Sequence, residues 1–79
     1  MKYIALFYTH YGAIKYSKFL KSKNVENEIM PVPRALSSSC GICIKFSTSI
    51  DIKTMVSNDI ESIFMLNNGE YKKIYQDKG

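Results

Sequence analysis

The first apolar segment, Lys2 to Tyr8 (KYIALFY), has almost no polar interruption and is rich in aromatic residues. Such a run predicts a central strand buried on both faces. The period then changes. Thr9 is suited to an N-cap, and after it Ala13, Tyr16, Phe19 and Leu20 cluster on one side of a helical wheel. Lys15, Lys18, Lys21 and Lys23 take the opposite side, so Tyr11 to Lys23 reads as an amphipathic helix that stops near Asn24. Glu26 to Val32 (ENEIMPV) is a more polar strand, and Pro31 within it fits only an edge or a strand end. From Ile42 to Ser47, Ile42, Ile44 and Phe46 alternate with Cys43, Lys45 and Ser47, the pattern of a half-buried strand.

Beyond Ser47, Ser49 or Asp51 is placed to cap a short helix through about Asn58, with Ile52, Met55 and Val56 on its apolar face. The last third admits two readings. Ile60 to Leu66, then Asn67-Asn68-Gly69, then Glu70 to Gln76 has the form of a hairpin, because Asn-Gly between apolar runs is a strong turn signal. Ile52, Met55, Val56, Ile60, Ile63 and Phe64 also fit one long helix ended by Gly69. The strand formers Ile63, Phe64, Tyr71, Ile74 and Tyr75 favour the hairpin. The resulting order, β-α-β-β-α-β with an extra strand, predicts an α+β fold: a ferredoxin-like βαββαβ sandwich with an added C-terminal hairpin strand. In that topology the first two strands run parallel. Thr9, His10 and Tyr11 then share one rim of the sheet with Arg34 and Cys40.

Composition narrows the class. Seventy-nine residues are read as one domain, 1–79, large enough to bury about 60% of the surface of its unfolded chain. Apolar content of 46% and aromatic content of 13% argue against disorder. No apolar run reaches the roughly 18 residues of a membrane span, and MKYIALFYTHYG lacks a small-residue cleavage site. The reading is a cytoplasmic protein with no membrane association. The net charge of +4 comes from eleven basic and seven acidic residues that are scattered along the chain. This is a solvated surface rather than a nucleic-acid footprint, though it suits an acidic partner protein. RNA binding on the sheet is disfavoured because Ile44 and Phe46 lack the basic-aromatic signature of such sheets. An exposed edge strand leaves a homodimer open.

The stretch PVPRALSSSCGICIKF, Pro31 to Phe46, carries the candidate chemistry. A cysteine reacts as thiolate, which needs positive potential and partial exposure. Cys40 lies in a polar loop, on the rim where the helix start contributes partial positive charge. Arg34 is in the same loop, and His10 faces it across the rim. Gly41 permits positive φ and leaves room beside the sulfur. Ser37, Ser38 and Ser39 offer hydroxyls and N–H groups suited to an anion. The plainer alternative is that Cys40 is a small half-buried residue in a solvated serine loop. Cys43, between Ile42 and Ile44, reads as structural. The two thiols point to opposite faces, so a disulfide between them is disfavoured. A thioredoxin-like Cys-x-x-Cys needs its first cysteine at a helix N-terminus, which this one lacks. Two cysteines and one histidine are too few for a structural zinc site. There is no phosphate loop, nucleophile elbow or carboxylate pair. The expectation is no cofactor and no self-sufficient enzyme.

The pattern Pro31-Val32-Pro33-Arg34 through Ser37-Ser38-Ser39-Cys40-Gly41 to Phe46 is similar to that of the bacterial family called putative Se/S carrier protein-like. Phe7 with Thr9-His10-Tyr11-Gly12-Ala13 also resembles the way that family begins its first helix. The resemblance implies carriage of sulfur or selenium, as a persulfide or perselenide, on the cysteine that maps to Cys40. It further implies a donor such as a cysteine desulfurase, and an acceptor enzyme. The alternative is a non-catalytic ferredoxin-like interaction or small-ligand-binding module in which the thiol is incidental.

Overall fold

Tyr3 to Phe7 are buried without a break, and a strand buried on both faces must lie inside its sheet. In the computed structural model, which describes residues 1–78, it does. The elements are β1 (Lys2–Phe7), α1 (His10–Ser22), β2 (Asn27–Pro31), β3 (Ile42–Ser47), a single 3-10 turn (Ile52–Met55), β4 (Ile60–Asn67) and β5 (Glu70–Gln76). The sheet has five strands in the order β2-β3-β1-β4-β5, and every pairing is antiparallel. This α+β arrangement is consistent with a ferredoxin-like fold extended by β5. Pro31 ends the edge strand β2, where its missing N–H does no harm.

The period-two alternation sorts side chains between two faces. Tyr3, Ala5, Phe7, Ile44 and Phe46 pack against Ala13, Tyr16 and Leu20 of α1. On the other face Ile4, Leu6 and Cys43 are covered by Met30, Val32, Leu36, Phe64 and Tyr71. Each fully buried Leu, Ile or Phe contributes on the order of 1.5–3 kcal/mol, so both clusters matter to a chain this short.

Helix α1 is fixed at both ends. Thr9 caps it, its Oγ1 accepting from Gly12 N–H at 3.0 Å. At the other end Asn24 is left-handed (φ 60), Val25 N–H donates to Leu20 O at 2.9 Å, and Asn24 N–H donates to Lys21 O at 3.1 Å. These two bonds make a Schellman motif, and the buried Leu20 and Val25 are its hydrophobic pair. Gly12 is required by close approach: a Cβ there would lie 2.8 Å from Asp59 Cβ. The helix start is thereby pressed against the chain leading into β4, where Tyr8 N–H also donates to Asp59 O at 3.3 Å.

The second helix expected through about Asn58 is not formed. Asp51 does cap, accepting from Lys53 N–H at 3.1 Å, but only Ile52–Met55 coil, and Val56 is extended (φ −74, ψ 137). The chain leaves the turn early because Ser57 begins the approach to β4. Its Oγ accepts from Asp59 N–H and its carbonyl accepts from Ile60 N–H. A groove of about 530 Å³ lies between α1 and this segment, lined by Tyr16, Phe19, Met55 and Val56, among others. The last third is a hairpin, as the strand formers favoured. Asn68 (φ 52) and Gly69 (φ 80) are both left-handed, as a two-residue type I′ turn requires.

Tyr16 Oη donates to Met55 O at 2.8 Å in the interior and so joins α1 to the 3-10 turn. Burial pushes its phenol up from 10.0 to about 12, because the phenolate would be desolvated. Tyr16→Phe leaves the Met55 carbonyl unpaired and should cost about 1–2 kcal/mol, read as a lower urea midpoint. A raised folded-state value means the neutral phenol's contribution is complete below pH 10 and fades as pH rises to about 12. The gap between wild type and Tyr16→Phe should therefore narrow across that window.

Candidate functional site

Beyond the last pair of the β2–β3 ladder, Pro31 with Ile42, Val32 N–H donates to Gly41 O at 3.1 Å. That bond closes the neck of a loop, Pro33 to Cys40. Leu36 N–H donates to Pro33 O at 2.9 Å, forming a turn that sets Leu36 on the Ile4–Leu6–Cys43 cluster. Gly41 has φ 77 and open space where a Cβ would stand, so backbone conformation explains this glycine.

Three successive residues then tie the loop to three elements. Ser38 Oγ donates to Phe7 O at the end of β1, at 3.0 Å. Ser39 N–H and Oγ both reach Glu61 Oε1 of β4, at 3.3 and 3.4 Å. The Cys40 carbonyl lies 2.7 Å from His10 Nε2 in the first turn of α1. A carbonyl can only accept, so the geometry places the imidazole proton on Nε2. The rim expected from the topology, with His10 and Cys40 on it, is therefore formed.

The Cys40 sulfur is half-buried against the helix-side cluster. Its S–H donates to Ile42 O at 3.3 Å, and Ser38 Oγ is 3.9 Å away. Several expected contacts differ. His10 meets the Cys40 carbonyl, not its sulfur. Arg34 is exposed and makes no hydrogen bond or ion pair among the described residues; Ser37 is exposed as well. The Ser39 N–H and hydroxyl already hold a carboxylate. Glu61 was missed by the sequence reading, although β4 begins where the antiparallel β1 ends and a lone acid in IESIFML was the available signal.

Other charges share the rim. Lys15 Nζ stands 3.5 Å from Asp59 Oδ2. Tyr8 Oη donates to Asp77 Oδ2 at 2.7 Å. That bond, aided by partial desolvation and by the charges of Asp77 and Glu61, pushes the Tyr8 phenol up to about 12. Cys43 is a different kind of thiol. It is fully buried in the opposite cluster with Sγ 3.7 Å from Pro31 O, and burial, with a smaller contribution from Cys40, pushes it up to about 11. Both cysteines are free. Among the described residues no group of three His, Cys, Asp or Glu is placed to hold a metal ion. Among them also, no helix is long and apolar enough to cross a membrane.

A family model described as putative Se/S carrier protein-like matches residues 2–76, from the start of β1 to the end of β5. The chain belongs to that family. In this member of the putative Se/S carrier protein-like family, the match takes in the whole tethered loop and both cysteines. No curated protein and no solved structure matched the chain.

The two thiols should separate under alkylation. With iodoacetamide at about pH 8, Cys40 should be modified at least roughly tenfold faster than Cys43, whose thiolate is scarce. Peptide mass mapping reads the two rates, and unfolding in denaturant should bring them together. Equal rates in the folded protein would contradict the burial described here.

Proposed function

We propose that this chain is a carrier of sulfane sulfur or selenium that holds its cargo on Cys40 and relays it between a donor and an acceptor enzyme. The observation that carries this reading is the position of Cys40. It is the partly exposed cysteine of the chain, at the end of a loop tethered to β1, α1 and β4. The family's description as Se/S carrier protein-like supports the same reading.

The transfer is a thiol exchange. The Cys40 thiolate attacks the terminal sulfur of a donor persulfide, a new S–S bond forms, and the donor's S–S bond breaks with its electron pair on the donor sulfur. The donor leaves as a thiolate and Cys40 becomes a persulfide. No external oxidant is needed, because the sulfane sulfur arrives already oxidised. Passing that sulfur to an acceptor repeats the exchange. A perselenide follows the same course. Cys43, buried and on the other face, takes no part, and the chain acts as a carrier rather than a self-sufficient enzyme.

A second reading is a ferredoxin-like binding module with an incidental thiol. It draws on one feature: the sulfur donates to a carbonyl and packs against the core, as an inert thiol does.

Incubating the reduced protein with a cysteine desulfurase and cysteine, followed by intact-mass measurement, separates the two. The carrier reading predicts one added sulfur on wild type and on Cys43→Ser, removable by reductant, and none on Cys40→Ser. No addition to wild type, or equal addition to Cys40→Ser, refutes it.

A further inference from the structure

Two of the donors that an anion at the Cys40 loop would use, the N–H and the hydroxyl of Ser39, are occupied by the protein itself. Ser39 N–H and Ser39 Oγ both reach one oxygen of Glu61, at 3.3 and 3.4 Å. The loop thus makes an anion site, and a carboxylate of the same chain fills it. The strand fixes this carboxylate's origin, because the Glu61 carbonyl accepts from Asp77 N–H at 2.9 Å and from Gln76 Nε2 at 3.2 Å. A second acid, Asp77, stands beside it, bonded to Tyr8. The cations of the rim do not cancel Glu61 at close range. Lys15 is paired with Asp59, Arg34 forms no ion pair among the described residues, and His10 is engaged with the Cys40 carbonyl.

We infer that Glu61 is a positioning and specificity-determining residue: its carboxylate pins the residue before Cys40 and turns small free anions away from the thiol. The consequence for substrate class rests on the carrier reading. Cargo reaches Cys40 as a sulfane sulfur bound to a protein, whose surface supplies a cation to draw Glu61 off Ser39. It does not arrive as free hydrosulfide or selenide. Electron balance agrees, since joining either of those anions to a thiolate requires the removal of two electrons, whereas exchange with a persulfide requires none.

Paired alkylation rates of Cys40 in the intact protein test the role of Glu61 without any cargo. Iodoacetate is an anion and iodoacetamide is neutral, and both attack the same thiolate. Their rate ratio therefore cancels any change in how much thiolate is present. Glu61→Gln keeps an oxygen for Ser39 but removes the charge, and should raise the iodoacetate-to-iodoacetamide ratio about 3- to 10-fold at low salt, as expected on removing one unit charge bonded to the residue next to the thiol. About 1 M salt should erase most of that gain. Glu61→Ala should show the same rise and, through loss of the tether, faster exchange of the Ser39 amide. A ratio within twofold of wild type in both variants overturns the inference. That outcome is separate from failure of the carrier reading, which is read by sulfur addition to Cys40 and leaves the alkylation ratio untouched.

Discussion

A hydrogen bond of 2.7 Å between the His10 ring and the Cys40 carbonyl joins the start of α1 to a loop thirty positions further along the chain. The rest of the site depends on that closure. Ser38 and Ser39 extend it to the ends of β1 and β4, so the cysteine loop is pinned at three successive residues. An eight-residue excursion between antiparallel strands would otherwise be free to move, since fixing each backbone residue costs about 1–2 kcal/mol of conformational entropy. Here side-chain bonds and the Leu36 contact offset part of that cost.

The same tethers shape the thiol. Cys40 sits on the helix-side cluster while Cys43, three positions later and beyond the left-handed glycine, lies in the opposite one. The strand's alternation and the Gly41 turn keep the two sulfurs on different faces, which leaves one accessible and one sealed. Accessibility alone does not activate a thiol. The nearest partners of the Cys40 sulfur are a carbonyl and a hydroxyl, with a carboxylate on the neighbouring serine.

Much of this was readable from sequence because it follows from periodicity and local chemistry. The alternation in ICIKFS assigned Ile44 and Phe46 to one face and Cys43 to the other, as packing has it. Thr9 as cap, Asn24 as stop and Asn-Gly as hairpin turn are short-range effects, and each is found in place. The second helix failed because its apolar spacing was satisfied by one 3-10 turn, after which Ser57 and Asp59 redirect the chain through contacts that no local pattern encodes. The topology brought His10 to Cys40, but which atom it meets depends on loop path. The Glu61 tether spans twenty-two positions and two weak hydrogen bonds, and charge alone gave it no distinction from the other surface acids.

The most direct test of the tethered rim is nuclear magnetic resonance of the His10 ring, which can be assigned without ambiguity because the chain has one histidine. The neutral ring should carry its proton on Nε2, and its ring protons should show Overhauser contacts to the Cys40–Gly41 backbone. A proton on Nδ1, with no contact between the ring and that segment, would contradict it.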